Sequence, residues 1–184
     1  MRTLAYCTEA AKAAVWRAVG VEPLTSPPLA SGTVTDLWAG ADFVYIRLHG
    51  RPDVPDTWFG QSVGGDTTTA LTLDDLHRVS GVWLLANCYG ASSPFVGALY
   101  RAGAQAVIAG AGPNYAARSR VIGADLLARW LRYGLSLGLS VQWALTLAKA
   151  RTALSYSRAE VNGRIVCPNA DTLAFKLIER AEEA

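Results

Sequence analysis

Three short apolar runs, each closed by a glycine, constrain what this chain can fold into. Phe43-Val44-Tyr45-Ile46-Arg47-Leu48 ends in His49-Gly50. Val82-Trp83-Leu84-Leu85-Ala86-Asn87 ends in Cys88-Tyr89-Gly90, and Ala104 to Ala109 ends in Gly110. Runs of this length, rich in β-branched and aromatic residues, read as buried strands whose ends the glycines mark. Arg2 to Cys7 reads as an earlier strand. Helical patterns lie between and after them. Thr8 to Val19 is alanine-rich, with Thr8 as N-cap and Gly20 as terminator. Ser92-Ser93-Pro94 opens a helix to about Ala102, Ala116 to about Tyr133 forms another, and Ser140 starts one reaching about Ala153. Alternating strands and helices predict an α/β fold with a mostly parallel central sheet flanked by helices. A length of 184 residues suits one domain spanning 1–184, without linker or repeat.

The intervening segments are irregular. Val21 to Gly32 carries Pro23, Pro27 and Pro28 and reads as loop around one short strand; Thr35 to Ala39 reads as a helical turn. Arg51 to Asp66, with two prolines and three glycines, reads as an exposed loop or hairpin, and Thr67 to Leu71 as its return strand. Thr72-Leu73-Asp74-Asp75 has a capping residue and acids where a helix start favours them. Asp171 to Glu179 fits either a strand or a helix.

Composition narrows the function. Only 17% of residues are charged and the formal net charge is +2, with no basic cluster interleaved with aromatics, so no nucleic-acid partner is expected. Arg118, Arg120, Arg129 and Arg132 read as a solvated helix face. The start reaches Glu9 and Lys12 before any long apolar core, so no secretory leader is expected. The stretch from Val121 to Ala148 is interrupted by Asp125, Arg129 and Arg132, and no membrane partner is expected. Three scattered cysteines, Cys7, Cys88 and Cys167, suit a reducing compartment and a cytoplasmic location. With two histidines and no Cys-x-x-Cys, no metal or cofactor is expected.

In a parallel sheet the carboxyl ends of the strands share one edge, where ligands bind. His49 and Cys88 would then face one crevice, as a cysteine nucleophile and its proton carrier require. A lone cysteine at a strand end is ordinarily a small buried hydrophobe, so the pairing with His49 is what points to chemistry. Papain-like proteases, glutaminases and α/β-hydrolases place the histidine after the nucleophile. Here His49 and His77 both precede Cys88, and His77, beside Asp74 and Asp75, reads as a surface residue.

Histidine first and cysteine later, each at the end of a neighbouring strand, is the caspase-type order. The chain resembles the caspase-like, clan CD cysteine peptidases, and within them the CHAT family. The motifs that carry the resemblance are Leu48-His49-Gly50, Leu71 to Leu76, Leu84 to Gly90, Ala102 to Ala109, and the helix with Ser140, Ala144, Leu145, Ala148 and Arg151. Together they cover roughly residues 40 to 155. The resemblance implies a caspase-like three-layer sandwich and a cysteine endopeptidase acting through a His49–Cys88 dyad and a thioester. The backbone N–H groups of Gly50 and Cys88 would form the oxyanion hole, and Asn114 and Tyr115 would contact substrate; Trp58, in the loop after His49, would either line the substrate cleft or pack the loop on the core. The partner implied is a protein or peptide substrate, with a regulatory protein or a second copy of the chain as further candidates. The loop Gly112-Pro113-Asn114-Tyr115 lacks the acidic residues common there in the family, which weakens any expectation of specificity for a basic side chain. A catalytically inert interaction module and a small-molecule amidase are the alternatives.

Overall fold

The apolar runs form the strands. The structure is a computed structural model and describes residues 1–114, 117–155, 157, 159–161 and 164–180. The chain begins with β1 (Thr3–Thr8), α1 (Lys12–Val19), β2 (Leu24–Ser26) and β3 (Phe43–Arg47). Next come β4 (His49–Arg51), β5 (Val54–Gln61), β6 (Thr67–Thr72), β7 (Val82–Leu85), α2 (Phe95–Ala102) and β8 (Ala106–Ala109). The remainder is α3 (Ala124–Ser136), α4 (Val141–Ala153), β9 (Ala159–Val161), β10 (Arg164–Val166), α5 (Pro168–Asp171) and β11 (Lys176–Ile178).

The central sheet has six strands in the order β11-β8-β7-β3-β1-β2. All its pairings are parallel except that of β11, which lies antiparallel on β8. Register aligns Ala5, Tyr45, Leu84 and Ile108 in one cross-strand row and Tyr6, Ile46, Leu85 and Ala109 in the next. Because successive side chains point to opposite faces, the first row enters a core with residues of α1, α3 and α4. The second row enters a core with Trp38, Trp58, Phe95 and Leu99. Burial on both faces explains why these strands are apolar throughout rather than alternating. The fold is therefore α/β, with a mixed, mostly parallel six-stranded sheet and helices. Among the described residues no helix is long and apolar enough to cross a membrane.

Local differences from the sequence reading have physical causes. Thr8 ends β1 and makes no side-chain cap; a 3-10 turn over Glu9–Ala11 precedes α1. The helix expected from Ala116 begins at Ala124, because Gly123 (φ 58°, ψ −130°) turns the chain out of the helical path. The Gly123 N–H donates to Asn169 Oδ1 at 2.7 Å and holds that turn. Arg118 and Arg120 therefore precede the helix, and Ala116 lies outside the described residues. Arg129 and Arg132 do lie on α3, but they reach the Arg17 carbonyl and the Thr3 hydroxyl rather than solvent alone. The segment from Asp171 divides: α5 ends there, and β11 completes the sheet edge. Thr72 forms a reciprocal capping box with Asp75, and Ser140 Oγ accepts from the Trp143 N–H at 3.4 Å, as their positions predict.

One buried ionic network binds these layers. Asp125, in the first turn of α3, is fully buried. Arg47 Nη1 donates to its Oδ2 at 2.8 Å and the Tyr45 hydroxyl to its Oδ1 at 2.8 Å. Arg47 Nη2 donates to the Ala117 carbonyl at 2.7 Å. Burial pushes the Asp125 carboxyl up to about 6, against the opposing pull of Arg47 and of the Tyr45 hydroxyl. The folded chain then binds this proton more tightly than the unfolded one. The carboxyl's contribution is greatest below its ordinary value of 3.8 and declines as pH rises to about 6. Arg47→Met leaves an ionised Asp125 buried without its counter-charge, and a loss of about 3–5 kcal/mol is expected near pH 8. Near pH 5 the carboxyl takes up a proton and the loss shrinks. Urea unfolding at both pH values measures this, and an equal loss at each would show that Arg47 acts through packing alone.

Candidate active site

The carboxyl ends of β1, β3, β7 and β8 meet at one edge, and a crevice of about 170 Å³ opens there. Thr8 lines it at the end of β1 with Ala10 and Ala11 just beyond, Arg47 at the end of β3 with Leu48 and His49 just beyond, Ala86 and Cys88 beyond β7, and Asn114 and Arg118 beyond β8. The chain leaves β1 for β2 on one side and returns to β3 on the other. The crevice therefore lies where strand order reverses, the place at which open α/β sheets bind ligands.

His49 does not end the central strand but begins β4. It belongs to a separate three-stranded antiparallel sheet, β4-β5-β6, that rises from the edge. The expected loop or hairpin from Arg51 to Asp66 is thus the hairpin limb of this sheet, with β6 as its return strand. The His49 ring is exposed, and its Nε2 lies 3.3 Å from Gln61 Oε1 on β5. His77 is exposed just past the short 3-10 turn at Leu73–Asp75, away from this crevice.

Cys88 sits in the turn after β7 and is half-buried. Tyr89, next in the chain, takes the left-handed conformation (φ 59°, ψ 22°), unusual for a bulky residue, and so reverses the backbone tightly. Two bonds hold this turn to the loop after β8: the Tyr89 N–H donates to the Gly112 carbonyl and the Ala91 N–H to the Gly110 carbonyl, each at 3.0 Å. Asn114 completes the contact. Its backbone N–H donates to Cys88 Sγ at 3.3 Å, the thiol faces its carbonyl at 3.9 Å, and its side-chain amide donates to the Ala86 carbonyl. No hydrogen bond of the Cys88 N–H occurs among the described residues. Asn87 is fully buried, and its amide has no partner among the described residues.

Gly50 brings the two halves together. A Cβ there would overlap the Cys88 carbonyl oxygen and stand 3.5 Å from Asn87 Cβ. A second crevice of about 260 Å³ opens beyond this contact, lined by Gly50, Arg51, Pro52, Pro55, Trp58, Cys88, Tyr89, Ser92 and Ser93. Cys88 stands between the two. Trp58 is 2% exposed and stacks on Phe95, with ring centroids 3.8 Å apart, so it packs the hairpin on the core while forming part of the wall of the second crevice. Tyr115 lies outside the described residues.

The other cysteines differ in kind. Cys7 is buried, and burial pushes its thiol up to about 12, so it is chemically quiet; Cys167 is exposed and away from both crevices. Sequence reasoning missed Gln61, Thr8 and Arg118 as lining residues. Their signal lies in pairing across the sheet edge, which no local pattern reports. No family model matches the chain, and a search of curated proteins found no match.

Gly50→Ala should force β4 away from the Cys88 turn. The expected cost is about 1–3 kcal/mol in a denaturant melt, as for overpacking elsewhere. An unchanged melt would mean that β4 moves freely against the turn.

Proposed function

We propose that this chain is a caspase-like cysteine endopeptidase of the CHAT type, with Cys88 as nucleophile and His49 as proton carrier. The observation that carries the reading is the shared crevice. The histidine after β3 and the cysteine after the adjacent β7, in that chain order, line one opening at the sheet's switch point. A peptide substrate would cross the two crevices that flank Cys88, beside β4, which pairs only with β5 among the described residues. An open strand edge suits an extended peptide. Neither crevice reaches the ~300 Å³ typical of small-molecule pockets, which disfavours an amidase acting on a small substrate.

In this mechanism Cys88 Sγ bonds to the peptide carbonyl carbon as the thiol proton passes to His49. The oxyanion accepts hydrogen bonds from the backbone N–H groups of Gly50 and Cys88, donors typically worth about 3 kcal/mol of barrier each. Collapse breaks the C–N bond, and His49 protonates the departing amine. Water then attacks the thioester, giving its proton to His49, and the thiol leaves with that proton. No third acidic residue and no cofactor enters.

Peptidyl acyloxymethyl ketones with varied residues at the acyl position, read by intact mass and peptide mapping, test this. Mapping is needed because Cys167 is also exposed. Cys88 should be labelled, Cys88→Ala should abolish labelling with its melt nearly unchanged, and His49→Ala should slow it roughly a hundredfold or more. If no peptidyl probe labels Cys88 while iodoacetamide does, the chain is an inert interaction module with a peptidase-like frame.

A further inference from the structure

We infer that Gln61 is a positioning residue for His49: its amide oxygen holds the Nε2 proton, so that the proton moved in the reaction is carried on Nδ1. This rests on the peptidase reading. Both side chains line the crevice with Cys88. His49 Nε2 lies 3.3 Å from Gln61 Oε1, and the same amide's Nε2 donates to the Gly65 carbonyl at 3.4 Å. A carbonyl only accepts, so the nitrogen end of the amide belongs at Gly65 and the oxygen end faces the ring. Turned over, the amide would set its oxygen against the Gly65 carbonyl, acceptor against acceptor. An amide oxygen likewise only accepts, so His49 Nε2 must be the donor and carry a proton. Nδ1 is then the nitrogen left with a lone pair in the neutral ring.

Strand register puts the two side chains together. His49 pairs directly with Phe59, and Gln61 stands two residues further along β5. Opposed residues share a face and alternate residues keep it, so Gln61 is a diagonal neighbour of His49, within reach of a long side chain. The frame around Gln61 is fixed on both sides. Just before it, a Cβ on Gly60 would overlap Ser26 at the end of β2, so β5 lies hard against the central sheet there. Just after it, the Ser62 N–H donates to the Asp66 carbonyl at 2.9 Å and the Gly65 N–H to the Ser62 carbonyl at 3.1 Å. The Val63 N–H donates to Glu9 Oε2 at 3.2 Å and ties this turn to the segment after β1. The Gly65 carbonyl that orients the amide therefore belongs to a turn held from two directions.

The neutrality of Gln61 suits the task. A proton carrier must take a proton and give it up within each half of the reaction. A carboxylate beside the ring would favour the imidazolium and resist its release. An amide oxygen accepts from Nε2–H in both charge states of the ring, and the charged side chains lining the crevice, Arg47 and Arg118, add no negative charge. The thiol proton then passes from Sγ to Nδ1 as the C–S bond forms, and from Nδ1 to the amine as the C–N bond breaks. A proton of the attacking water goes to Nδ1 and leaves with the Cys88 thiol, while Nε2 keeps its own throughout. Both amide contacts lie at the long end of the hydrogen-bond range, as catalytic contacts do before substrate closes on them.

Histidine labelled with ¹⁵N in a His77→Gln background isolates the His49 ring, and long-range ¹⁵N–¹H spectra report which nitrogen of the neutral ring bears the proton. It should be Nε2 with Gln61 or Gln61→Glu in place. Gln61→Met, of equal chain length but without the acceptor, should show both tautomers. The peptidyl acyloxymethyl ketone that labels Cys88 fastest should react with Gln61→Met roughly tenfold to a hundredfold more slowly, the cost of a misplaced ring. Gln61→Glu should recover most of that rate, with the rise of labelling against pH moved up by roughly one pH unit, because its carboxylate favours the protonated ring. A role in packing alone would produce neither the recovery nor the moved profile. A proton on Nδ1 of the neutral ring with Gln61 in place, undiminished labelling in Gln61→Met, or no recovery in Gln61→Glu overturns this inference and leaves the peptidase reading standing. If no peptidyl probe labels Cys88, the peptidase reading falls, and the tautomer spectra alone decide whether Gln61 holds the ring.

Discussion

Arg47 and Asp125 form the constraint on which the site edge depends. A lone charge in this core would be prohibitive, so the strand that carries Arg47 can be buried only with the helix that carries Asp125 docked against it. The fork geometry leaves little freedom: one nitrogen takes the carboxylate, another takes the Ala117 carbonyl, and Tyr45 closes the second carboxylate oxygen. Three elements distant in sequence, β3, the segment before α3 and α3 itself, are thereby fixed at one point. That point lies two residues before His49 and one before Arg118. Against an apolar replacement such a pair contributes little net stability. Its structural consequence is placement of the crevice wall.

The sheet supplies the second half of the placement. Its central strands carry apolar residues on both faces, so a slip of one residue would exchange the two cores, setting Tyr45 against Trp38 and Ile46 against α3. Register is therefore strongly specified, and with it the heights at which β3 and β7 end. Tyr45 aligned with Leu84 and Ile46 with Leu85 leave Arg47 and Ala86 at the same level of the edge. The Ala86 N–H donates to the Ile46 carbonyl at 2.8 Å and extends the pairing one residue beyond the strand. Further along, the two chains come together again where Gly50 approaches the Cys88 carbonyl.

The strands and the shared edge were legible in the sequence because buried strands announce themselves locally, as apolar runs ended by glycine. The cap at Thr72 and the start of α4 at Ser140 were also legible locally, from residue types that favour helix starts. The start of α3 was not. Nothing in Ala116 to Gly123 forbids a helix by propensity; the turn at Gly123 is set by Asn169 and the Ala117 carbonyl by Arg47, both far away in the chain. The departure of His49 into a second sheet was hidden likewise, since β4 is three residues long and is defined by its partner. A charged residue inside an apolar run was the available clue to the ionic network. Arg47 in the β3 run and Asp125 in the next long helical pattern are the two that pair.

Cys88 gathers these effects into one electrostatic setting. The left-handed Tyr89 turns the chain so that its own N–H and that of Ala91 face the loop after β8, and that loop returns the Asn114 N–H to sulfur. A donor aimed at sulfur has the polarity that complements negative charge there. Among the described residues β4 pairs only with β5 and the Cys88 N–H has no acceptor. The buried Asn87 amide, which has no partner among the described residues, immediately precedes this turn, where an unsatisfied polar group costs stability. A turn that carries a residue in a sparsely populated conformation and, among the described residues, an amide without a partner concentrates local cost where the two crevices meet.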